Sequence, residues 1–210
     1  MAVLASDRSA SLADLAMSRV RGGSALGACV ATGGRPLTTC DAAVADGMAL
    51  PYRHGAFDAV ISIAVLHHIS SPERRVHMLT QLLSLLRPGG RALVTVWATE
   101  QENKKKLASW MPIDVATGEA LPEAPAPAPD RGGDYFVPWH LPLVRTEAAA
   151  AATASSAPVD NGKQAVVFRR YYHLFTREEL VDLVEQVPGA RVRGCFYDKD
   201  NWCCEFESVS

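Results

Sequence analysis

The segment FDAVISIAVL, from Phe57 to Leu66, is an almost unbroken run of β-branched and apolar residues, and no other part of the chain restricts the fold as much. Such a run suits a central strand of a parallel sheet, covered on both faces. Pro72 is placed for the first turn of a following helix, along which Val76, Leu79, Leu82, Leu83 and Leu86 recur at helical spacing. Pro88, Gly89 and Gly90 then supply a stop, and RALVTVWA (Arg91 to Ala98) reads as the next strand. Strand, helix, strand in this order is a right-handed crossover, so the expected architecture is α/β, a doubly wound sheet.

Upstream, the apolar residues Val3 to Ala5 lead through Ser6 into Asp7, and Leu12, Leu15 and Ala16 then share one helical face. After a Gly-rich loop from Arg21 to Pro36, the segment Cys40 to Gly47 reads as a second short strand that ends in an acid, Asp46. Downstream, the pattern dissolves between Thr99 and Val166 into charge, a Pro/Ala alternation and an alanine run, around one ordered island from Asp134 to His140. Order returns in VVFRRYYHLF, before a helix opened by Thr176 with Glu179 three residues on, the spacing of a capping box. Two strands around Arg191 to Tyr197 and Trp202 to Glu207, joined by the turn-prone DKDN, close the chain. The expectation is one domain over residues 1–210, with low-complexity insertions at about 115–133 and 145–164.

The formal net charge is −2, so nucleic-acid binding would have to come from local basic patches or from a partner. The five cysteines, Cys29, Cys40, Cys195, Cys203 and Cys204, form no CxxC pair, which favours free thiols in a reducing compartment and gives no metal-ligand spacing. Neither a membrane-spanning run nor a secretory core is legible, and a cytoplasmic protein is expected, with nuclear or organellar placement left open.

In an open parallel sheet, ligands bind beyond the carboxyl ends of the strands. Asp7, Asp46 with Gly47, and the stretch through Ala64, Val65, His67 and His68 all fall at such ends. A carboxylate there can accept two hydrogen bonds from a ribose diol, or one from an adenine amino group. Each aspartate is equally an ordinary cap or turn residue. Arg169, Arg170, Tyr171 and Tyr172 combine guanidinium forks with aromatic faces, suited to a carboxylate or phosphate and to base stacking, or else form a surface pair beside core tyrosines. Lys104 to Lys106 are the only compact run of cations, and Trp139 and Trp202 are candidates to close a pocket.

The ordered set ADGMALPY, FDAVISIAVLHHIS, LRPGGRALVTVWATEQ, FVPWH, RRYYHLF and DNW resembles the Rossmann-like, class I S-adenosylmethionine methyltransferases. Within them it is most similar to the enzymes that methylate the carboxylate of 5-carboxymethyluridine at the tRNA wobble position. The resemblance implies S-adenosylmethionine as cofactor and a mostly parallel sheet with an antiparallel C-terminal strand pair. On it, Asp7, Asp46, Gly47, Ala64 and Val65 belong to the cofactor site, while His67, His68, Arg169, Arg170 and Tyr171 face the uridine. It further implies two partners, the tRNA anticodon loop and a small zinc-binding activator subunit that would pair with an edge strand at residues 40–46. The family's first strand and glycine-rich loop have no counterpart at the start of this sequence, so a truncated, inactive binding protein and a methyltransferase for a small molecule stay open beside the tRNA reading.

Overall fold

The computed structural model describes residues 2–21, 39–103, 107–122, 132–144 and 158–209. The Gly-rich stretch, Lys104 to Lys106, Cys29 and most of the two Ala/Pro-rich segments lie outside the described residues. Two compact units divide the chain, Met1–Arg53 and His54–Ser210.

In the first unit, β1 (Ala2–Asp7) and β2 (Thr39–Val44) pair in parallel, and α1 (Ala10–Arg21) packs on both. The register sets Asp7 opposite Val44, and the Ala45 N–H continues the ladder by donating to the Asp7 carbonyl at 3.0 Å. Both strands therefore end together, each followed by its turn.

The second unit opens with the expected crossover. β3 (Phe57–Ile63) runs parallel to β4 (Leu86–Trp97), with α2 (Pro72–Leu85) between them. Among the described residues, however, β3 pairs only with β4 and leaves Ile61 and Ile63 exposed, unlike the doubly covered central strand that its composition suggests. Ser71 caps α2, its hydroxyl accepting from the Arg74 N–H, and Pro72 needs no partner for an amide it lacks. The helix buries Met78, Leu79, Leu82, Leu83 and Leu85, and β4 buries Ala92, Val94 and Val96 at the two-residue period of a strand. The Pro-Gly-Gly stop works differently from the expectation. α2 ends at Leu85, three residues before Pro88, and β4 begins at once, with its register to β3 shifting between Phe57 and Ala59. Gly89 takes φ +73° inside this irregularity, and a Cβ on Gly90 would stand 2.8 Å from the Arg87 carbonyl oxygen, so glycine is required here to bend the strand's entry.

The C-terminal strands β9 (Ala190–Asp198) and β10 (Asn201–Ser208) complete the sheet in the order β3-β4-β10-β9, with β10 antiparallel to both neighbours. The preceding helix, α3 (Arg177–Glu185), buries Leu180, Leu183 and Val184 and packs on α2, β9 and β10. Lys199 and Asp200 turn the chain with positive φ, as the DKDN motif predicts. The described cysteines Cys40, Cys195, Cys203 and Cys204 are free thiols.

The island from Asp134 to His140 is part of something larger. β6 (Gly133–Pro142) pairs antiparallel with β8 (Ala165–Leu174) along its whole length, flanked by the short β5 (Met111–Pro112) and β7 (Val159–Asp160). This second four-stranded sheet was not read from the sequence: β6 and β8 are joined across the Ala/Pro-rich stretch, and the Asp160-Asn161-Gly162 turn signal within it joins β7 to β8 rather than β6 to β8. Trp110, Tyr135, Val137 and Leu174 form its buried cluster, with Trp97, Leu107 and Tyr172 packed against it.

Candidate active site

In the first unit, the parallel register puts Asp7 and Asp46 at the same carboxyl end of their two strands. Each carboxylate is oriented by the next turn, Asp7 accepting from the Ser9 N–H at 2.7 Å and Asp46 from the Met48 N–H at 2.9 Å. An ionised carboxylate has about four lone-pair sites, so one such bond fixes its direction and leaves capacity for a diol or an amino group. Gly47 follows within the Asp46–Ala49 turn.

In the second unit, the chain leaves β3 through Ala64, whose φ of 58° is a left-handed conformation that alanine adopts at a cost of about 1–2 kcal/mol. Strain of this kind persists only where the surroundings fix it. Here the Ala64 N–H donates to the Thr95 carbonyl at 3.1 Å and lies 3.2 Å from the Thr95 hydroxyl. The kink ends the strand, leaves Val65 exposed, and starts the single 3₁₀ turn Leu66–His68.

The two histidines of that turn have opposite surroundings. His67 is 1% exposed, and its Nδ1 accepts the Trp97 N–H at 3.3 Å, which leaves the proton on Nε2. Burial, with the neighbouring His68 and His173, lowers its pKa to about 3. His67 is thus neutral at physiological pH. His68 is exposed, and its Nδ1 lies 3.1 Å from the Tyr171 carbonyl oxygen. A carbonyl only accepts, so Nδ1 donates and Nε2 is the ring's remaining polar atom.

Tyr172 joins the pair to a ladder of rings. It stacks on His67 at 5.2 Å between centroids and on Trp97 at 4.4 Å, and it meets His68 edge-on at 4.4 Å. Trp97 stacks on Trp110 at 5.4 Å, and Trp110 meets Tyr135 edge-on. The aromatic positions are legible in the sequence, but their convergence depends on the β6–β8 pairing.

Alternation along β8 separates the four residues of RRYY. Arg170 and Tyr172 share one face; Arg169 and Tyr171 share the other. Arg170 lies over the Trp139 ring, 4.0 Å from its centroid, whereas Arg169 reaches the Met111 sulfur at 3.7 Å. The Tyr171 hydroxyl donates to Asp134 Oδ1 at 2.5 Å and accepts from Arg75 Nη2 at 3.0 Å. Burial, followed by that bond to Asp134, pushes the Tyr171 pKa upward. Trp202 donates from Nε1 to Glu100 at 3.0 Å and sits edge-on to Tyr197.

Tyr171 belongs to a buried ionic network that sequence reasoning missed. Arg75 is 2% exposed on α2 and holds the Ile69 carbonyl through Nε at 2.9 Å and Glu179 through Nη1 at 3.4 Å. His173 lies 2.8 Å from Asp134 through Nδ1 and 2.8 Å from Glu179 through Nε2. Carboxylates only accept, so both nitrogens donate and the ring carries charge. Two cations and two carboxylates therefore balance. Burial works to raise the Asp134 pKa, but the hydrogen bonds from His173 and Tyr171 outweigh it and hold the carboxyl below its usual range. Thr176 does cap α3, accepting from the Glu179 N–H at 3.1 Å, while the Glu179 carboxylate serves this network and the Gly132 N–H. One signal for Arg75 was available, since it continues the apolar helical stripe through Met78, Leu79 and Leu82.

The comparisons with known proteins agree with this architecture. The family model described as a methyltransferase domain matches residues 2–94. The tRNA (carboxymethyluridine(34)-5-O)-methyltransferase alkbh8 of Xenopus tropicalis is 35% identical over 81% of this chain and 29% of its own length. The tRNA (carboxymethyluridine(34)-5-O)-methyltransferase of Arabidopsis thaliana is 32% identical over 76% of this chain and 60% of its own, and that of Saccharomyces cerevisiae 32% identical over 76% and 65%. The chain is thus similar, over about three quarters of its length, to proteins named as tRNA carboxymethyluridine methyltransferases, and its N-terminal part matches a methyltransferase domain. It spans less than two thirds of the length of these relatives. Among solved structures, an S-adenosylmethionine-dependent methyltransferase from Clostridium acetobutylicum covers 99% of the chain, which spans 75% of it, at TM-score 0.59 and 10% identity. One from Methanosarcina mazei covers 99%, with 82% of its own length matched, at TM-score 0.57 and 15% identity. At such identity the likeness concerns the fold, which is that of the class I methyltransferases. Among the described residues, no helix is long and apolar enough to cross a membrane.

Proposed function

We propose that this chain takes part in transfer of a methyl group from S-adenosylmethionine to the carboxylate of 5-carboxymethyluridine in the tRNA anticodon loop. The observation that carries the reading is the His67–His68 turn at the end of β3, with one ring neutral and buried and the other tethered to the Tyr171 carbonyl. The named activity of the relatives supports it.

The chemistry asks for position rather than proton transfer. A carboxylate is ionised at neutral pH, and the cofactor supplies a methyl group already activated on a sulfonium. The neutral ring of His67 and the face of Tyr172 wall off water without adding charge. His68, fixed through Nδ1, presents Nε2 to the uridine substituent. Within the first unit, Asp7 is proposed to accept the ribose diol and Asp46 the adenine amino group, with Gly47 as a backbone neighbour. Arg170 is the arginine on the same face of β8 as Tyr172.

His68→Ala should reduce kcat for tRNA bearing 5-carboxymethyluridine about 100-fold, the scale of losing alignment at a reacting centre. Its dissociation constant for S-adenosylmethionine should stay within twofold of the wild type. Unchanged turnover would remove His68 from the site, and methylation of metabolites in place of this tRNA would replace the substrate assignment. For the cofactor, Asp46→Asn should weaken S-adenosylmethionine binding about tenfold by calorimetry, since a hydrogen bond to a charged acceptor is worth about 1.5–3 kcal/mol. Equal affinity would return Asp46 to a plain turn role.

Among the described residues, β2 pairs only with β1, so its outer edge is available for strand addition. A small zinc-binding activator subunit is proposed to pair there. Cytoplasmic tRNA is the substrate pool this reading implies.

A further inference from the structure

Resting on that reading, we infer that Trp139 and Arg170 form a stacking platform for the nucleotide next to the modified uridine. The guanidinium of Arg170 lies over the indole at 4.0 Å, and both side chains are exposed, Trp139 at 37%. Trp110, packed with Tyr135 of the same sheet, is only 5% exposed, and no ion pair of Arg170 is seen among the described residues. A flat cation laid on a flat ring offers one further planar surface. Its natural ligand is another π-face, and the guanidinium edge remains able to donate to a phosphate.

Position selects a nucleotide over other planar ligands. Arg170 and Tyr172 are two residues apart on one face of β8, which is about 7 Å along a strand. Tyr172 is in ring contact with both His67 and His68. A base on the platform would thus lie one short step from a base held at the histidine turn, as the neighbour in a single strand does when its bases are unstacked. Phe168, with its ring 5.9 Å from that of Trp139, extends the same line away from the turn. The formal charge of −2 makes such local stacking necessary, because no global field draws RNA in.

Two readouts test the platform on the chain as it stands. In the first, a labelled single-stranded heptanucleotide with an anticodon-loop sequence is titrated by fluorescence anisotropy. Trp139→Leu should weaken its binding about tenfold or more, the scale of one lost base–aromatic stack, while Trp139→Phe should retain most of the affinity. Equal binding by wild type and Trp139→Leu overturns the platform, as does absence of RNA binding by the wild type. In the second, methylation of the isolated 5-carboxymethyluridine nucleoside should be the same in wild type and Trp139→Leu, because a nucleoside has no neighbouring base. A leucine variant that loses activity on the nucleoside as well places Trp139 in the uridine site and overturns the proposal. If the wild type methylates neither the nucleoside nor the tRNA, the functional reading fails, and the anisotropy titration still decides the platform.

Discussion

Arg75→Ala should destabilise the protein by about 3–5 kcal/mol, read as a shift in the urea midpoint without a change in slope. Arg75 is 2% exposed and ties four segments together: its own loop through the Ile69 carbonyl, β8 through the Tyr171 hydroxyl, α3 through Glu179, and β6 through Asp134 at 3.8 Å. Its guanidinium also lies over the Phe175 ring at 5.2 Å. Removing it leaves two partly buried carboxylates with His173 as the one remaining cation, and uncompensated charge in a poorly solvated site is what makes such losses large. The double variant Arg75→Met with Glu179→Met should recover much of the loss, because it removes one charge of each sign and fills the volume with apolar atoms. A single variant within 1 kcal/mol of the wild type would show that solvent reaches these groups. Since the Tyr171 carbonyl anchors His68, a tolerated change at Arg75 should appear first as lower kcat.

The crossover was legible because its signals are local. The β-branched run of β3, Pro72 after Ser71, and the leucines of α2 each act within one or two turns of chain, and DKDN and Thr176 behave alike. The positions of Asp7 and Asp46 after short apolar runs were also local signals, and the register of β1 with β2 sets both at one end. What escaped was set by distance along the chain. β6 and β8 meet across a long Ala/Pro-rich connection whose Asp160-Asn161-Gly162 turn joins only β7 to β8, so nothing local announced that Asp134 would face His173 or that Tyr172 would stack on Trp97. The two-residue period of β8 did contain the division of Arg169 and Tyr171 from Arg170 and Tyr172, but treating RRYY as one cluster set that rule aside. The place of Ala64 at a strand end was legible; its left-handed φ, where glycine would be expected, had no signal of its own.

Acid should destabilise the protein well before its carboxylates titrate, and His67 is the reason. Its folded pKa is about 3 against an ordinary 6.5. Between those values the unfolded chain takes up a proton that the folded chain refuses, so the contribution is fully present above pH 6.5 and is lost as pH falls. The slope is about 1.4 kcal/mol per unit, which gives about 2 kcal/mol lost at pH 5. Asp134 acts lower: its depressed pKa contributes stability that is lost only as pH falls below the ordinary carboxylate range. The window from pH 6.5 to 5 therefore isolates the histidine. In denaturant titrations across it, the wild type should lose stability steadily, and His67→Phe, which keeps a ring against Tyr172 and Trp97, should lose about 2 kcal/mol less. Parallel curves for the two proteins would mean that His67 accepts a proton in the folded state, and the neutral wall assigned to it at the methyl-transfer site would then carry a positive charge toward the substrate carboxylate.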